Sequence, residues 1–239
     1  MWFTVGDVEI RNVTASSTGA SGIELGPVGN VSISDCTVND NPLYGIGIGV
    51  DVDDVTIANC TANNNGLGGI TVQFPDEVTI TNCTANGNGA GGISAGWAGD
   101  VTITNCNANN NRGGLGGISA SSSGNVTIFG SVAQGNSNGV RLGPDIPSGS
   151  VNGSIICAND CGLYLPDGPV PNLNAEGNWW GCPGGPEDAA CDPICQEDGV
   201  AVDFDPWIDT ITANSPASAE AGQPAIATFQ FSDLAQTVF

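Results

Sequence analysis

The sequence contains no histidine and no lysine. Its only bases are Arg11, Arg112 and Arg141, set against 25 Asp and Glu, for a formal net charge of −22 at pH 7. Without imidazole, no mechanism can use a His base or a His metal ligand. Without a basic patch there is no footprint for phosphate backbones, which argues against nucleic acid as a partner. An anionic membrane surface repels such a chain. Long apolar runs are missing too: nothing approaches the ~20 residues that span a bilayer, so membrane insertion is not expected. Met1-Trp2-Phe3 is too short to be a signal peptide. The expectation is therefore an export signal already removed, or a piece of a longer chain. With 36 Gly, many Asn and no Lys, a helix bundle is disfavoured.

What the sequence does contain is one unit repeated. A Val-x-Ile-x-Asn-Cys block recurs as VEIRNV from Val8, VSISDC from Val31, VTIANC from Val55, and VTITNC from Val78 and again from Val101. It decays to VTIFGS from Val126 and VNGSII from Val151. The spacings are 23, 24, 23, 23, 25 and 25 residues. A second apolar pair follows each anchor, as in Ile23/Leu25, Ile46/Ile48, Ile70/Val72 and Ile93/Ala95. Period-2 alternation marks both blocks as strands with one buried face. One unit cannot bury its own apolar face, but stacked equivalent units can. The sequence thus predicts an all-β fold, a single-stranded parallel β-helix of about seven to nine coils with two short strands per coil. Seven coils at ~4.8 Å each make a rod about 34 Å long.

The remaining positions also fall into files. Asn12, Asn59, Asn82 and Asn105, with Asp35 among them, mark a corner where stacked amides can form a ladder. A second file holds Asn41, Asn65, Asn88, Asn111 and Asn136. Gly45, Gly69, Gly92, Gly117 and Gly139 precede the second strand, where a tight bend is expected. Cys36, Cys60, Cys83 and Cys106 share one core position and read as small buried free thiols, with disulfide pairing of adjacent members as the alternative. The other five cysteines suit disulfides in an exported protein. Cys157 with Cys161, and Cys182 with either Cys191 or Cys195, are the expected pairs. A metal on Cys182, Cys191 and Cys195 is the alternative.

These repeats resemble the right-handed parallel β-helix repeat family of pectin-lyase-like and NosD-like secreted surface proteins. GNWWGCPGGP (Gly177 to Pro186), followed by VAVDFDPWI (Val200 to Ile208), resembles the closing element of such proteins. The resemblance implies right-handedness and a C-terminal cap built from Trp179, Trp180 and Trp207. It covers roughly residues 5–208; the expected β-helix domain is residues 1–208, including a Cys-rich loop at 182–198. Residues 209–239 lack the anchor and look like the start of an immunoglobulin-like repeat. Their strand, with Ile226, Phe229 and Phe231, either folds back on its own rod or adds to a neighbouring subunit.

For function the fold alone says little. Carboxylates are the only catalytic currency. Asp51, Asp53 and Asp54, or Asp188, Asp192 and Asp198, are candidate calcium ligands, since Ca²⁺ takes carboxylate and backbone oxygens. Enzymes of the resembled family add His, Lys or an Arg base, for which only Arg112 and Arg141 stand here. Asn30, Asn125 and Asn152 are the candidate glycosylation sites. Sugar-stacking aromatics are sparse: Phe74, Trp97, Phe129 and Tyr164 are scattered candidates. Regular coils without long loops predict a non-enzymatic extracellular structural protein, an acidic rod of a cell-surface adhesin, sheath or fibre. It would need no cofactor and would assemble head to tail through its C-terminal strand. The alternative is a carbohydrate-active module that binds a glycan, or a calcium-dependent lyase or hydrolase.

Overall fold

The computed structural model describes residues 6–166, 170–196, 202–205, 207–208, 212–213 and 229–230. Among the described residues every regular element is a strand. The first sheet contains seven parallel strands: Val8–Arg11, Val31–Ser34, Val55–Ala58, Glu77–Thr81, Asp100–Thr104, Asn125–Phe129 and Ser148–Asn152. The second contains eight: Ile23–Leu25, Ile46–Ile48, Gly68–Gln73, Gly91–Gly96, Gly116–Ser121, Asn138–Leu142, Cys161–Leu165 and Ile194–Gln196. Each strand pairs with its equivalent one coil away, as Val55 with Val78 and Val78 with Val101. The architecture is a parallel β-solenoid in which like side chains sit on like.

The core lies between the sheets. Ile33, Ile57, Ile80, Ile103 and Ile128 from the first sheet face Ile46, Ile70, Ile93 and Ile118 from the second, all 0 % exposed. Each such side chain contributes about 2–3 kcal/mol of apolar burial. Equal widths in successive coils let the next Ile land on the last without a void.

Three expectations need correction. The coil has a third face, where two strands were expected. Thr14, Thr37, Thr61, Thr84, Asn107 and Val132 bridge in succession, and the face widens into the paired strands Val132–Gln134 and Ile155–Cys157. Secondly, Val151 is not the seventh anchor. Val126 pairs with Gly149, and Val151 with Ile128. Gly149 has no side chain to give the core, and Leu173, Val170 and Leu142 fill its place, 3.1, 3.3 and 3.7 Å from where a Cβ would stand. Thirdly, the segment 182–198 is not all loop: Ile194–Gln196 is the eighth strand of the second sheet, with Leu163 beside Ile194.

In the tail, Thr212–Ala213 pairs antiparallel with Phe229–Gln230, so Phe229 lies opposite Ala213. Ile226 and Phe231 lie outside the described residues.

Candidate functional site

The most heavily built polar feature is the buried asparagine column. Asn41, Asn65, Asn88, Asn111 and Asn136 are 0–4 % exposed. In each, the Oδ1 accepts from the coil before it: Asn65 donates its backbone N–H to Asn88 at 2.9 Å and its Nδ2 at 3.1 Å. The second Nδ2 proton goes to a carbonyl of the preceding coil, as Asn88 to Ala62 and Asn111 to Ala85, both 3.0 Å. An Asn side chain offers two donors and two acceptor sites, and in Asn41, Asn88, Asn111 and Asn136 all are used. The column begins on Thr18, which donates N–H and Oγ1–H to Asn41. It runs one coil further than the sequence reading placed it, to Asn159, and ends on Asp192. The glycines beside it serve this column and not a tight bend. A Cβ on Gly92 would stand 2.6 Å from both Asn111 Nδ2 and the Gly117 carbonyl.

A parallel column explains the cysteines. The Cys60 N–H donates to Cys83 Sγ at 3.4 Å, and Cys83 to Cys106. The file then changes chemistry without changing pattern: Cys106 donates to Ser131 Oγ, Ser131 to Ser154 Oγ, and Ser154 to Asn178 Oδ1. The four thiols are free and buried, as expected. They are more than small hydrophobes, because each of Cys83 and Cys106 accepts a backbone N–H that the coil geometry leaves facing inward. The Cys83 thiol is pushed up to about 12 by its contact with the Cys106 sulfur and then by burial. Cys60 is raised by the Cys83 contact and burial, and Cys36 chiefly by burial. Cys106 is lowered by the same Cys83 contact.

At the C-terminal end the disulfides are Cys161–Cys195 and Cys182–Cys191, with Cα separations of 6.0 and 5.1 Å. The expected Cys157–Cys161 pair does not form. Cys161 instead reaches the added strand Ile194–Gln196, and Cys157 is left as a half-buried thiol. Cys182, Cys191 and Asp188 bring their donor atoms within 4.8 Å of one another. The two sulfurs of that group are joined to each other, so the metal alternative loses two thiolates; Cys195 lies outside the group. Asp192 is 7 % exposed and accepts Asn159 N–H at 2.9 Å and Nδ2 at 2.7 Å. Burial raises its carboxyl above the usual range, against the lowering effect of those two bonds. It forms the terminus of the buried hydrogen-bond column. Trp180 is 0 % exposed and packs in the core, while Trp179 bridges Ile155 on the third face. The Trp207 indole lies over Gly185 and donates to the Pro183 carbonyl at 2.9 Å.

The remaining expected ligands stand apart. Asp51, Asp53 and Asp54 are exposed and do not converge as a metal-binding group among the described residues. Asp198 lies outside the described residues. Arg112 is exposed and Arg141 half-buried on the outer side of the second sheet, beside Ser119 and Tyr164. The amide nitrogens of the three glycan candidates are engaged: Asn30 with Asp7, Asn125 with Asp100, and Asn152 with Asn174.

The aromatic candidates are not all scattered. Phe74 and Trp97 occupy the same place on successive coils, with ring centroids 5.0 Å apart and planes 11° from parallel. They are 44 % and 51 % exposed. Both have left-handed backbones, φ 60° and 53°, at a corner shared with Asp51, Ser122 and Asp145. That region suits short polar residues and costs a bulky one about 1–2 kcal/mol. Phe129 sits apart on the first sheet, and Tyr164 on the second next to Cys195.

A family model described as a right-handed beta helix region matches residues 2–144 and, in a second overlapping alignment, residues 56–179. The chain belongs to the right-handed β-helix family. No curated protein matches it. Within this β-helix, the sequence reading missed two features that positional files could have shown. One is the outer column in which Asn63 donates its N–H to Asn39, Asn86 to Asn63 and Asn109 to Asn86, each at 2.8 Å. Its donors point toward the N-terminal coils, opposite to the buried column two residues away. The other is the pairing of Phe74 with Trp97, which share an offset of two residues from Val72 and Ala95.

Proposed function

We propose that this β-helix is a non-enzymatic structural rod, an acidic segment of an extracellular adhesin, sheath or fibre whose copies associate end to end. The observation that carries the reading is the unbroken first sheet. From Val8 to Gly149 its anchors succeed one another every 23 to 25 residues. That leaves no length for loops that would wall a substrate cleft. Two polar columns tie the coils along the axis, which supports stiffness. Two disulfides suit an oxidising compartment. The exposed carboxylates keep a β-rod in solution.

Electron microscopy and analytical ultracentrifugation of the full chain test the reading against a variant lacking residues 209–239. The full chain is expected to form end-to-end polymers that the truncated chain does not. A full chain that stays monomeric at high concentration, or polymers indifferent to the truncation, would refute it. So would new reducing or unsaturated ends released from a polysaccharide panel, with or without calcium.

A further inference from the structure

We infer that Asn152 is a site of spontaneous covalent modification, where the chain loses a side-chain amide to its own backbone and forms isoaspartate. The inference goes beyond the structural reading and does not use end-to-end assembly.

Five Asn-Gly pairs occur in the sequence, beginning at Asn65, Asn86, Asn88, Asn138 and Asn152. In such a pair the following backbone nitrogen can attack the side-chain Cγ, because glycine carries no Cβ to crowd the approach. The fold occupies that nitrogen in four of the five. Gly66 donates to the Asn41 carbonyl at 2.8 Å, and Gly87 to Asn109 and Gly89 to Asn65, both at 2.9 Å. Gly139 lies within Asn138–Leu142, which is paired with a strand on either side. Asn65 and Asn88 are also locked in the buried column.

The fifth pair breaks the pattern of its own corner. Six times in succession the corner N–H donates to a carbonyl of the next coil, from Asn12 to Ser34 through to Gly130 to Asn152. Gly153 follows Gly130 in that file, since Phe129 pairs with Asn152. Its acceptor on the next coil should be the Glu176 carbonyl, two residues past the bridge of Ser150 to Asn174. That carbonyl instead accepts Asn152 Nδ2 at 3.0 Å. Among the described residues the Gly153 N–H makes no hydrogen bond. The Asn152 carboxamide thus sits at the acceptor that the corner N–H uses in the six earlier coils, and it shares that corner with an unengaged nitrogen. Both residues are half-buried, so water reaches them.

The reaction needs only water. The Gly153 nitrogen bonds to Asn152 Cγ and the Cγ–Nδ2 bond breaks. Nδ2 leaves as ammonia, taking the Gly153 amide proton, and a cyclic imide remains. Water then opens the ring. Addition at Cγ gives aspartate; addition at the main-chain carbonyl of Asn152 gives isoaspartate, with the chain running through the former side chain. Either product puts a carboxylate where Nδ2 donated to Asn174 Oδ1 and the Glu176 carbonyl. The Glu176 carboxylate, which accepts from Asn174, adds a second negative charge nearby. The change therefore falls on the contacts between the last coils.

The test incubates the full chain, folded and in parallel unfolded in guanidinium chloride, for several weeks in mildly alkaline buffer at body temperature. Pepsin digestion and mass spectrometry read amide loss in each of the five Asn-Gly peptides. Methyl transfer by a protein isoaspartyl methyltransferase reads isoaspartate. In the unfolded chain the five are expected to react within a few-fold of one another. In the folded chain Asn152 is expected to react at least tenfold faster than each of the other four, with isoaspartate among its products. Asn152→Gln keeps an amide at the corner but asks Gly153 to close a larger ring, and is expected to cut methyl transfer at least tenfold. Circular dichroism confirms the fold of that variant; the ranking in the parent decides alone if it does not fold. Four results would overturn the inference: another pair reacts as fast in the folded chain, folding protects Asn152 as it does the others, Asn152 yields aspartate alone, or folded Asn152→Gln is methylated like the parent.

Discussion

A single asparagine amide holds three coils together. Asn88 accepts from Asn65, donates to Asn111 and donates to Ala62. Asn88→Ala would leave two buried donors on Asn65 and the Ala62 carbonyl without partners, at ~1–3 kcal/mol for each orphaned group. The expected loss is about 3–5 kcal/mol in urea unfolding, a large part of a typical domain's stability. The thiol column separates two ideas about buried cysteine. If Cys83 is simply apolar filling, Val replaces it better than Ser. If its sulfur is an acceptor for the Cys60 N–H, Ser is the better substitute, as Ser131 and Ser154 are further along. We expect Cys83→Ser to cost less than about 1 kcal/mol and Cys83→Val roughly 1–3 kcal/mol. Asp192 gives a pH signature. Burial raises its folded carboxyl, so between the ordinary value and the raised one the folded state holds a proton the unfolded state has lost. Stability from this group is therefore greatest at low pH and declines as pH rises from the ordinary carboxyl value through the raised folded one. Asp192→Asn keeps an acceptor for Asn159 without a buried charge. It should melt higher than the parent at about pH 7, with the gap narrowing as the pH approaches the ordinary carboxyl value of about 4.

At the level of strands and corners, the glycine beside the column is as constrained as the column itself. Gly92→Ala would drive a methyl group into backbone oxygen and the Asn111 amide, and is expected to cost about 2–3 kcal/mol by overpacking, read from the same unfolding curves. The sheets were legible because Val-x-Ile alternation repeats over three or four residues, long enough for period 2 to register. The third face was not, because its repeating contact is one bridging residue followed by one inward residue, Thr61 then Ala62 or Thr84 then Ala85, too short for any period. The seventh anchor failed for a different reason. VNGSII offered a Val in roughly the right place, while the true position held Gly149 and borrowed its core filling from Leu173 and Val170. The disulfide partner of Cys161 was hidden because Ile194–Gln196 follows Leu165 only after a long segment that carries no repeat. Its pairing with Leu163 to Leu165 is what brings Cys195 near Cys161.

Across the whole molecule, stability is nearly one-dimensional, because each coil touches only its neighbours. The two disulfides fasten only the C-terminal coils. In the chain-entropy view the 34-residue separation of Cys161 and Cys195 is worth about 4 kcal/mol, and the 9-residue separation of Cys182 and Cys191 about 2–3 kcal/mol. Reduction should therefore loosen the molecule from one end. Hydrogen exchange is expected to quicken first in Cys161–Leu165 and Ile194–Gln196, while Val55–Ala58 and Glu77–Thr81 keep their protection. Uniform quickening along the rod would contradict this. The closing carboxylate of the buried column has one more consequence. Asp192 accepts two hydrogen bonds from Asn159 and, when ionised, has no proton to donate onward, so the series stops there. The end of the column is thus set by one side chain. Restoring an amide at that position would reopen the series, making it the natural splice point for grafting extra turns and building longer rods to order.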